Sequence, residues 1–175
     1  MTSIKKSVVT ALCAAFCVVL PMAFHAIPRG GMIFLPMHIP VLLCGLLCGW
    51  PYGLACGILG PVLSHFITAM PNAAALPGML VECAVYGGIS GLMMQLVHTG
   101  KLYADLYSSL TAAMVAGRIL GGAAKALLFA PGSMTLAVWA STYFAVGLPG
   151  ILIQLVLLPS IVFLLMKSRL IPRRY

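Results

Sequence analysis

The chain is 175 residues long, 62% hydrophobic and 7% charged, with a mean hydropathy of +1.13. A soluble domain carries about a quarter charged residues, which excludes a water-soluble fold and leaves lipid as the solvent of this chain. The net charge of +8 does not point to nucleic acid, because most of the cations flank apolar segments, where they act as topology signals facing anionic lipid.

A bilayer crossing takes about 20 apolar residues, so the length holds roughly six spans in a single all-α membrane domain covering residues 1–175. The predicted spans cover residues 7–26, 36–49, 53–70, 77–97, 105–129 and 142–166. The first follows Lys5 and Lys6 and is long for a cleaved signal core, so it is read as a retained helix. The second is short and begins at a proline-rich edge, where Pro40 suits the first helical turn. It ends at Gly49-Trp50-Pro51-Tyr52-Gly53, read as a turn with two interfacial aromatics. Further breaks fall at Met70-Pro71-Asn72, His98-Thr99-Gly100-Lys101 and Ala130-Pro131-Gly132-Ser133. All six cysteines lie inside apolar runs. Cys13/Cys17 and Cys44/Cys48 have an i,i+4 spacing that could present thiolates to a metal, but buried cysteine acting as a small hydrophobe is the simpler reading.

Orientation follows from the loop cations. With the N-terminus in the cytoplasm, Lys5, Lys6, Lys101, Lys167, Arg169, Arg173 and Arg174 fall inside and Arg29 alone falls outside. Both termini are therefore expected to be cytoplasmic.

Given depths at about 1.5 Å per residue, the intramembrane polar residues gather in the outer half. His25 ends the first span and His38 begins the second at the outer face. His65 on the third, Glu82 on the fourth and Lys125 on the fifth lie below that face, Arg118 lies near mid-membrane, and Asn72 sits in the outer loop. The inner half is left with Gln95 and Gln154. Ionisable groups at such depths are expensive and mark function. Glu82 can either brace Lys125 or meet a ligand. Asp105, the other acid, is near the inner surface, so Arg118 and Lys125 outnumber the available carboxylate. That excess calls for a bound anion, most simply a carboxylate matched to the arginine fork. His38, held between Pro36 and Pro40, is read as a pocket-rim residue or an interfacial histidine bonded to a loop, and Trp139, Tyr143, Phe34 and Met32 as a cover for a flat ligand or an aromatic belt.

Other chemistries fit poorly. Gly117-Arg-Ile-Leu-Gly-Gly-Ala-Ala-Lys125 lacks the strand–loop–helix frame and the Lys-Ser/Thr ending of a phosphate loop, and its Gly117-xxx-Gly121 spacing is a helix-packing face. Gly88-Ile-Ser-Gly91 superficially resembles the serine motif of rhomboid proteases, but such an enzyme needs a base histidine on a later helix, and the last histidine here is His98, seven residues beyond the motif. Neither catalytic residues nor a cofactor are expected, and the chain is not read as an enzyme. Met37-His-Ile-Pro40 is similar to the start of nickel and cobalt uptake subunits, but here it is internal, and four separated histidines have no chelating spacing.

Taken whole, the chain resembles the substrate-binding S components of energy-coupling factor (ECF) transporters. The likeness is carried by Pro36-Met-His-Ile-Pro-Val-Leu-Leu-Cys-Gly45 through Gly53, by Gly60-Pro61, and by Met79-Leu-Val-Glu-Cys-Ala-Val-Tyr-Gly87, with Ala11-xxx-Ala15 on the first span. It implies a prokaryotic plasma-membrane subunit that binds a vitamin under its outer loops and works with a transmembrane coupling subunit and two ATPase subunits. It further implies that Ala11 and Ala15 dock on the coupling subunit. Arg118, Lys125, Glu82, His38, His65, Asn72 and Trp139 are the candidate ligand-binding residues. The positive excess favours acidic vitamins such as pantothenate, folate or nicotinate. The competing readings are a nickel or cobalt uptake subunit and a small stand-alone proton-coupled transporter.

Overall fold

A computed structural model of the chain describes residues 1–24, 26–129 and 135–171, with the backbone alone at 128, 129, 136 and 143. His25, expected at the outer face, and the break at 130–133 lie outside the described residues. Eight α-helices make up the described fold: α1 (Ser3–Ala23), α2 (Gly30–Phe34), α3 (His38–Cys48), α4 (Trp50–Thr68), α5 (Leu76–Leu96), α6 (Leu102–Ala124), α7 (Leu136–Ala140) and α8 (Leu148–Lys167). Two stretches of π-helix follow α6 and α7, at Lys125–Phe129 and Ser141–Val146. Among the described residues there is no strand.

The helices start where the sequence chemistry allows. Thr2 caps α1 by accepting a hydrogen bond from the Lys5 amide at 3.4 Å, and Thr135 caps α7 through the Val138 amide at 3.3 Å. Such caps satisfy amides that have no intrahelical partner. Pro51, Pro77 and Pro149 occupy the first turns of α4, α5 and α8, where a missing N–H costs nothing.

Five segments are long and apolar enough to cross a membrane: Ser3–Ala23, Gly30–Cys48, Leu76–Leu96, Leu102–Leu127 and Leu148–Lys167. The helix α4 has the length, at 19 residues, but Trp50, Pro51, Tyr52, His65 and three glycines make it less apolar. Each of the six predicted spans meets one long helix, with three corrections. The second span does not begin at 36: α2 precedes it, and the segment from Gly30 gains the length that α3 alone lacks. Between Cys48 and Trp50 the predicted five-residue turn shrinks to Gly49, whose φ of +94° takes the whole change of direction, a conformation that glycine adopts without a β-carbon clash. The last span starts at Leu148, with π-helix before it.

Their surfaces confirm that lipid, not water, is the solvent. On α1 one stripe (Thr10, Cys13, Ala14, Cys17, Val18) is buried, while the opposite face exposes Ile4, Val8, Leu12, Phe16 and Val19. A soluble amphipathic helix would be polar on that face. The exposed face of α8 is apolar too, with Leu152, Val156 and Leu164 all more than half exposed.

At the centre, α5 packs against α3, α4 and α6, while α1 lies against α3 and α4, and α8 against α2, α3 and α6. Glycine makes this possible. A β-carbon on Gly87 would meet the Gly53 carbonyl, one on Gly57 the Cys83 carbonyl and one on Gly91 the Trp50 backbone. This is the small-residue packing that brings helix backbones together in lipid. Ser90, the serine of the Gly88-Ile-Ser-Gly91 stretch, is fully buried and donates to the Gly87 carbonyl at 3.2 Å. It is a helix-contact residue, as its setting among glycines suggested. The cysteines are all buried free thiols. Cys17 donates to the Met37 carbonyl at 3.7 Å, Cys48 to that of Lys6 at 3.7 Å, and Cys44 Sγ lies 3.5 Å from both Thr10 Oγ1 and the Tyr52 carbonyl.

The two ends of the bundle differ in chemistry. One end gathers the start of α1 with the ends of α3, α5 and α8. There Lys5 and Arg169 line a cavity of about 580 Å³, and Lys6, Gln95 and His98 line another of about 310 Å³. Asp105 is fully buried near this end and accepts from the amide and hydroxyl of Thr99 at 2.9 and 2.7 Å, fastening the α5–α6 turn. At the opposite end, α3 and α5 begin and α6 finishes.

If the α4–α5 contact is the keystone, Gly87→Ala should lower stability by about 1–3 kcal/mol, the usual cost of overpacking. Gly31→Ala has open space around its β-carbon and should stay within about 0.5 kcal/mol of the parent. Thermal unfolding of the detergent-solubilised variants measures both.

Candidate functional site

The site is organised by the last two turns of α6. Gly117, Arg118, Gly121 and Gly122 are all buried there. A β-carbon on Gly117 would run into the Tyr86 ring, one on Gly122 into the Trp139 indole, and one on Gly121 would come within 2.9 Å of the Glu82 Cβ. The glycines therefore admit side chains from α5 and α7 against the helix backbone that carries Arg118. The spacing expected to be a helix-packing face is one, and what it packs against is polar.

Arg118 is 2% exposed. It neither snorkels to the surface nor spends its whole fork on carbonyls: Nε and Nη2 have no hydrogen-bond partner. The guanidinium carbon lies 5.5 Å from the centre of the Phe144 ring, a cation–π contact. Trp139 donates its indole N–H to the Arg118 carbonyl at 3.2 Å and packs edge-on against Phe144, centroids 5.2 Å apart. The α7 segment and the π-helix after it thus lie over the arginine. Single-turn π-helical distortions recur at functional sites, and the two here flank this one.

Glu82 does not brace Lys125. Its Oε1 is 3.6 Å from His38 Nε2, a distance too long for a hydrogen bond. The Lys125 side chain is half-buried and runs past Gly78. His38 is 2% exposed and sits edge-on to Tyr86, centroids 5.0 Å apart. Neither ring nitrogen of His38 has a hydrogen-bond partner. The ring is therefore inside the fold rather than on a rim, held in the first turn of α3 together with buried Pro40.

Two residues join this cluster that the sequence reading left out. Tyr86 is fully buried with its hydroxyl unpartnered. Gln154, assigned by sequence to the inner half, belongs with this group instead. It is fully buried, and its Nε2 donates to the Leu35 carbonyl at 3.3 Å, the same carbonyl that accepts from the His38 amide at 3.1 Å. The sequence reading places it deeper because it starts the last span at 142; with α8 starting at Leu148, Gln154 lies only six residues, about 9 Å, from that end.

The remaining candidates are elsewhere. His65 lies in the last turn of α4, which ends at Thr68 rather than 70, and its Nδ1 pairs with the Pro71 carbonyl at 2.7 Å. Asn72 is exposed and accepts from the Ala75 amide at 2.9 Å. Both hold the α4–α5 turn together. Phe34 stacks at 5.1 Å on Phe24, Met32 is half-exposed, and the Tyr143 side chain lies outside those described. Among the described residues, no three His, Cys, Asp or Glu side chains gather in a way that could hold a metal ion.

Among the described residues, every buried side-chain nitrogen or oxygen without a partner belongs to His38, Tyr86, Arg118 or Gln154. Leaving such a group unpaired costs about 1–3 kcal/mol, and more for a charge. These groups gather toward one end of the bundle, with donors and acceptors both represented.

An apolar helical bundle whose outward faces suit lipid is a multi-pass membrane protein. Residues 5–167 match the family model described as ECF transporter, substrate-specific component, and the chain belongs to that family. Its members are transporter subunits rather than enzymes. They bind small-molecule substrates and associate with a membrane module and ATPases. No curated protein matches the chain in sequence.

The Gly117–Tyr86 contact is testable by a double-mutant cycle. Gly117→Ala and Tyr86→Leu, each destabilising alone, should be non-additive together by roughly 0.5–3 kcal/mol, because the smaller side chain makes room for the new methyl group. Thermal unfolding of the two single variants and the double variant measures the coupling.

Proposed function

We propose that this S component captures a carboxylate-bearing, B-vitamin-like micronutrient, of the pantothenate, folate or nicotinate class, at the Arg118 end of the bundle. One observation carries the reading: among the described residues, a buried guanidinium retains two unpartnered nitrogens while the Glu82 carboxylate faces His38. A charge buried in a low-dielectric interior needs a counter-charge, and a ligand carboxylate supplies it along with acceptors for the planar fork. Lys125, half-buried one turn beyond Gly121, adds positive potential that draws in an anion. Trp139 and Phe144 lie over Arg118, so the ligand passes only when this cover shifts.

The Arg118 end then faces the outside of a prokaryotic plasma membrane, and α4 crosses as the sixth span. The end with Lys5, Lys6 and Arg169 faces the cytoplasm, in keeping with the rule for loop cations. Energy is supplied by the coupling subunit and its ATPases. The docking face is the exposed stripe of α1, on which Ala11 and Ala15 lie among Val8, Leu12 and Val19. Small residues there let a partner helix approach closely.

Arg118→Leu should weaken binding of the acidic ligand on the order of 100-fold, as expected for losing two or more charge-assisted hydrogen bonds, while the protein remains folded. Isothermal titration of the purified variant against the parent is the measurement, and equal affinity refutes the role. Ala11→Leu/Ala15→Leu should bind ligand normally but fail to copurify with the coupling subunit or support uptake. Undiminished uptake by that variant removes the docking assignment.

A further inference from the structure

Resting on the proposed carboxylate site, the geometry points to Gln154 as the residue that selects among acidic ligands: its Oε1 accepts a hydrogen bond from an N–H or O–H group carried by the same molecule whose carboxylate meets Arg118.

The orientation of the Gln154 amide is fixed by chemistry. A backbone carbonyl can only accept, so the atom 3.3 Å from the Leu35 oxygen is the Nε2 donor. The acceptor Oε1 must then face away from Leu35, and it has no partner although Gln154 is fully buried. The helix α8 is held in register for this. A β-carbon on Gly150, one turn earlier, would lie 2.8 Å from the Ile33 and Phe34 carbonyls, so α8 approaches the end of α2 closely and Gln154 reaches the Leu35 carbonyl. That carbonyl also accepts from the His38 amide, so the glutamine side chain reaches the start of α3, where His38 lies.

The unpartnered atoms divide by role. Arg118 Nε and Nη2 only donate. Tyr86 can donate or accept, and a neutral His38 ring does one of each at its two nitrogens. Gln154 Oε1 only accepts. A carboxylate can satisfy the arginine and the tyrosine but offers nothing to Gln154. Leaving a buried acceptor empty in the complex forfeits roughly tenfold or more in affinity. The site therefore rejects a carboxylate without N–H or O–H groups more strongly than shape alone would do, because sites built around hydrogen bonds discriminate against analogues that lack the matching group. Among the acidic vitamins, the ligand belongs to the hydroxylated or amide-bearing carboxylates. A bare aromatic acid such as nicotinate is disfavoured.

Binding to purified protein in lipid nanodiscs, with three probes, tests this. Pantothenate carries a carboxylate with hydroxyl and amide donors, nicotinate carries a carboxylate with neither, and pantothenol keeps the donors but lacks the carboxylate. The expected result is a preference for pantothenate over both others. Gln154→Leu should reduce pantothenate affinity by tenfold or more and leave that of nicotinate unchanged. Leu35 O still has the His38 amide in that variant, so its loss of binding reads the ligand contact. Should nicotinate bind the parent as well as pantothenate, or Gln154→Leu bind pantothenate undiminished, the glutamine assignment is overturned while the Arg118 reading stands. Equal binding of pantothenol overturns the Arg118 reading instead. Binding of no acid at all overturns both. The comparison among probes on the parent protein requires no variant to fold.

Discussion

A guanidinium that cannot reach water organises this molecule. Arg118 lies in a bundle that is mostly apolar, and at 2% exposure it has no water surface and, among the described residues, no carboxylate ion pair. In a low-dielectric interior such a charge is tolerated only when dipoles, rings and an anion surround it. The surrounding features can be read as responses to that requirement. Phe144 offers a ring face, Trp139 holds the backbone of Arg118 in place, and the Tyr86 hydroxyl, the His38 ring nitrogens and Gln154 Oε1 have no hydrogen-bond partner.

Glycine is the means by which that environment is built. On α4 and α5 glycines remove the side chains that would hold backbones apart, and α5 becomes the central helix of the bundle. On α6 they do something different. Gly117, Gly121 and Gly122 admit Tyr86, Glu82 and Trp139 to the helix surface, so the same residue type that tightens the bundle in the middle lets polar and aromatic side chains in at the end. Stability and binding thus draw on one physical device at two depths. At the other end of α6, Asp105 accepts from Thr99 and fastens the turn into the helix.

The exposed apolar surface is divided in a comparable way. Most of it meets acyl chains and needs no further account, because lipid is the solvent for those side chains. On α1 the exposed stripe alternates bulky residues with Ala11 and Ala15, and the buried stripe carries Thr10, Cys13 and Cys17 into the bundle. Cys13 and Cys17 of this helix thus turn inward with Ala14, while Ala11 and Ala15 turn outward.

Composition alone established a membrane-embedded, all-helical chain, because 62% hydrophobic residues with 7% charge have no other stable solvent. The Pro36–Gly45 and Met79–Gly87 stretches established the family. Sequence also picked out Arg118, Glu82 and His38, since ionisable groups stand out against an apolar background. It left partners open: Glu82 faces His38 across helices, His65 and Asn72 hydrogen-bond within the α4–α5 turn, and Tyr86 and Gln154 were not singled out. Those outcomes depend on which faces meet when glycine removes the spacing between helices, and on a shared carbonyl at Leu35 that links α8 to α3. Contacts between residues 119 apart in sequence leave no trace in local periodicity, so only the tertiary structure could decide them.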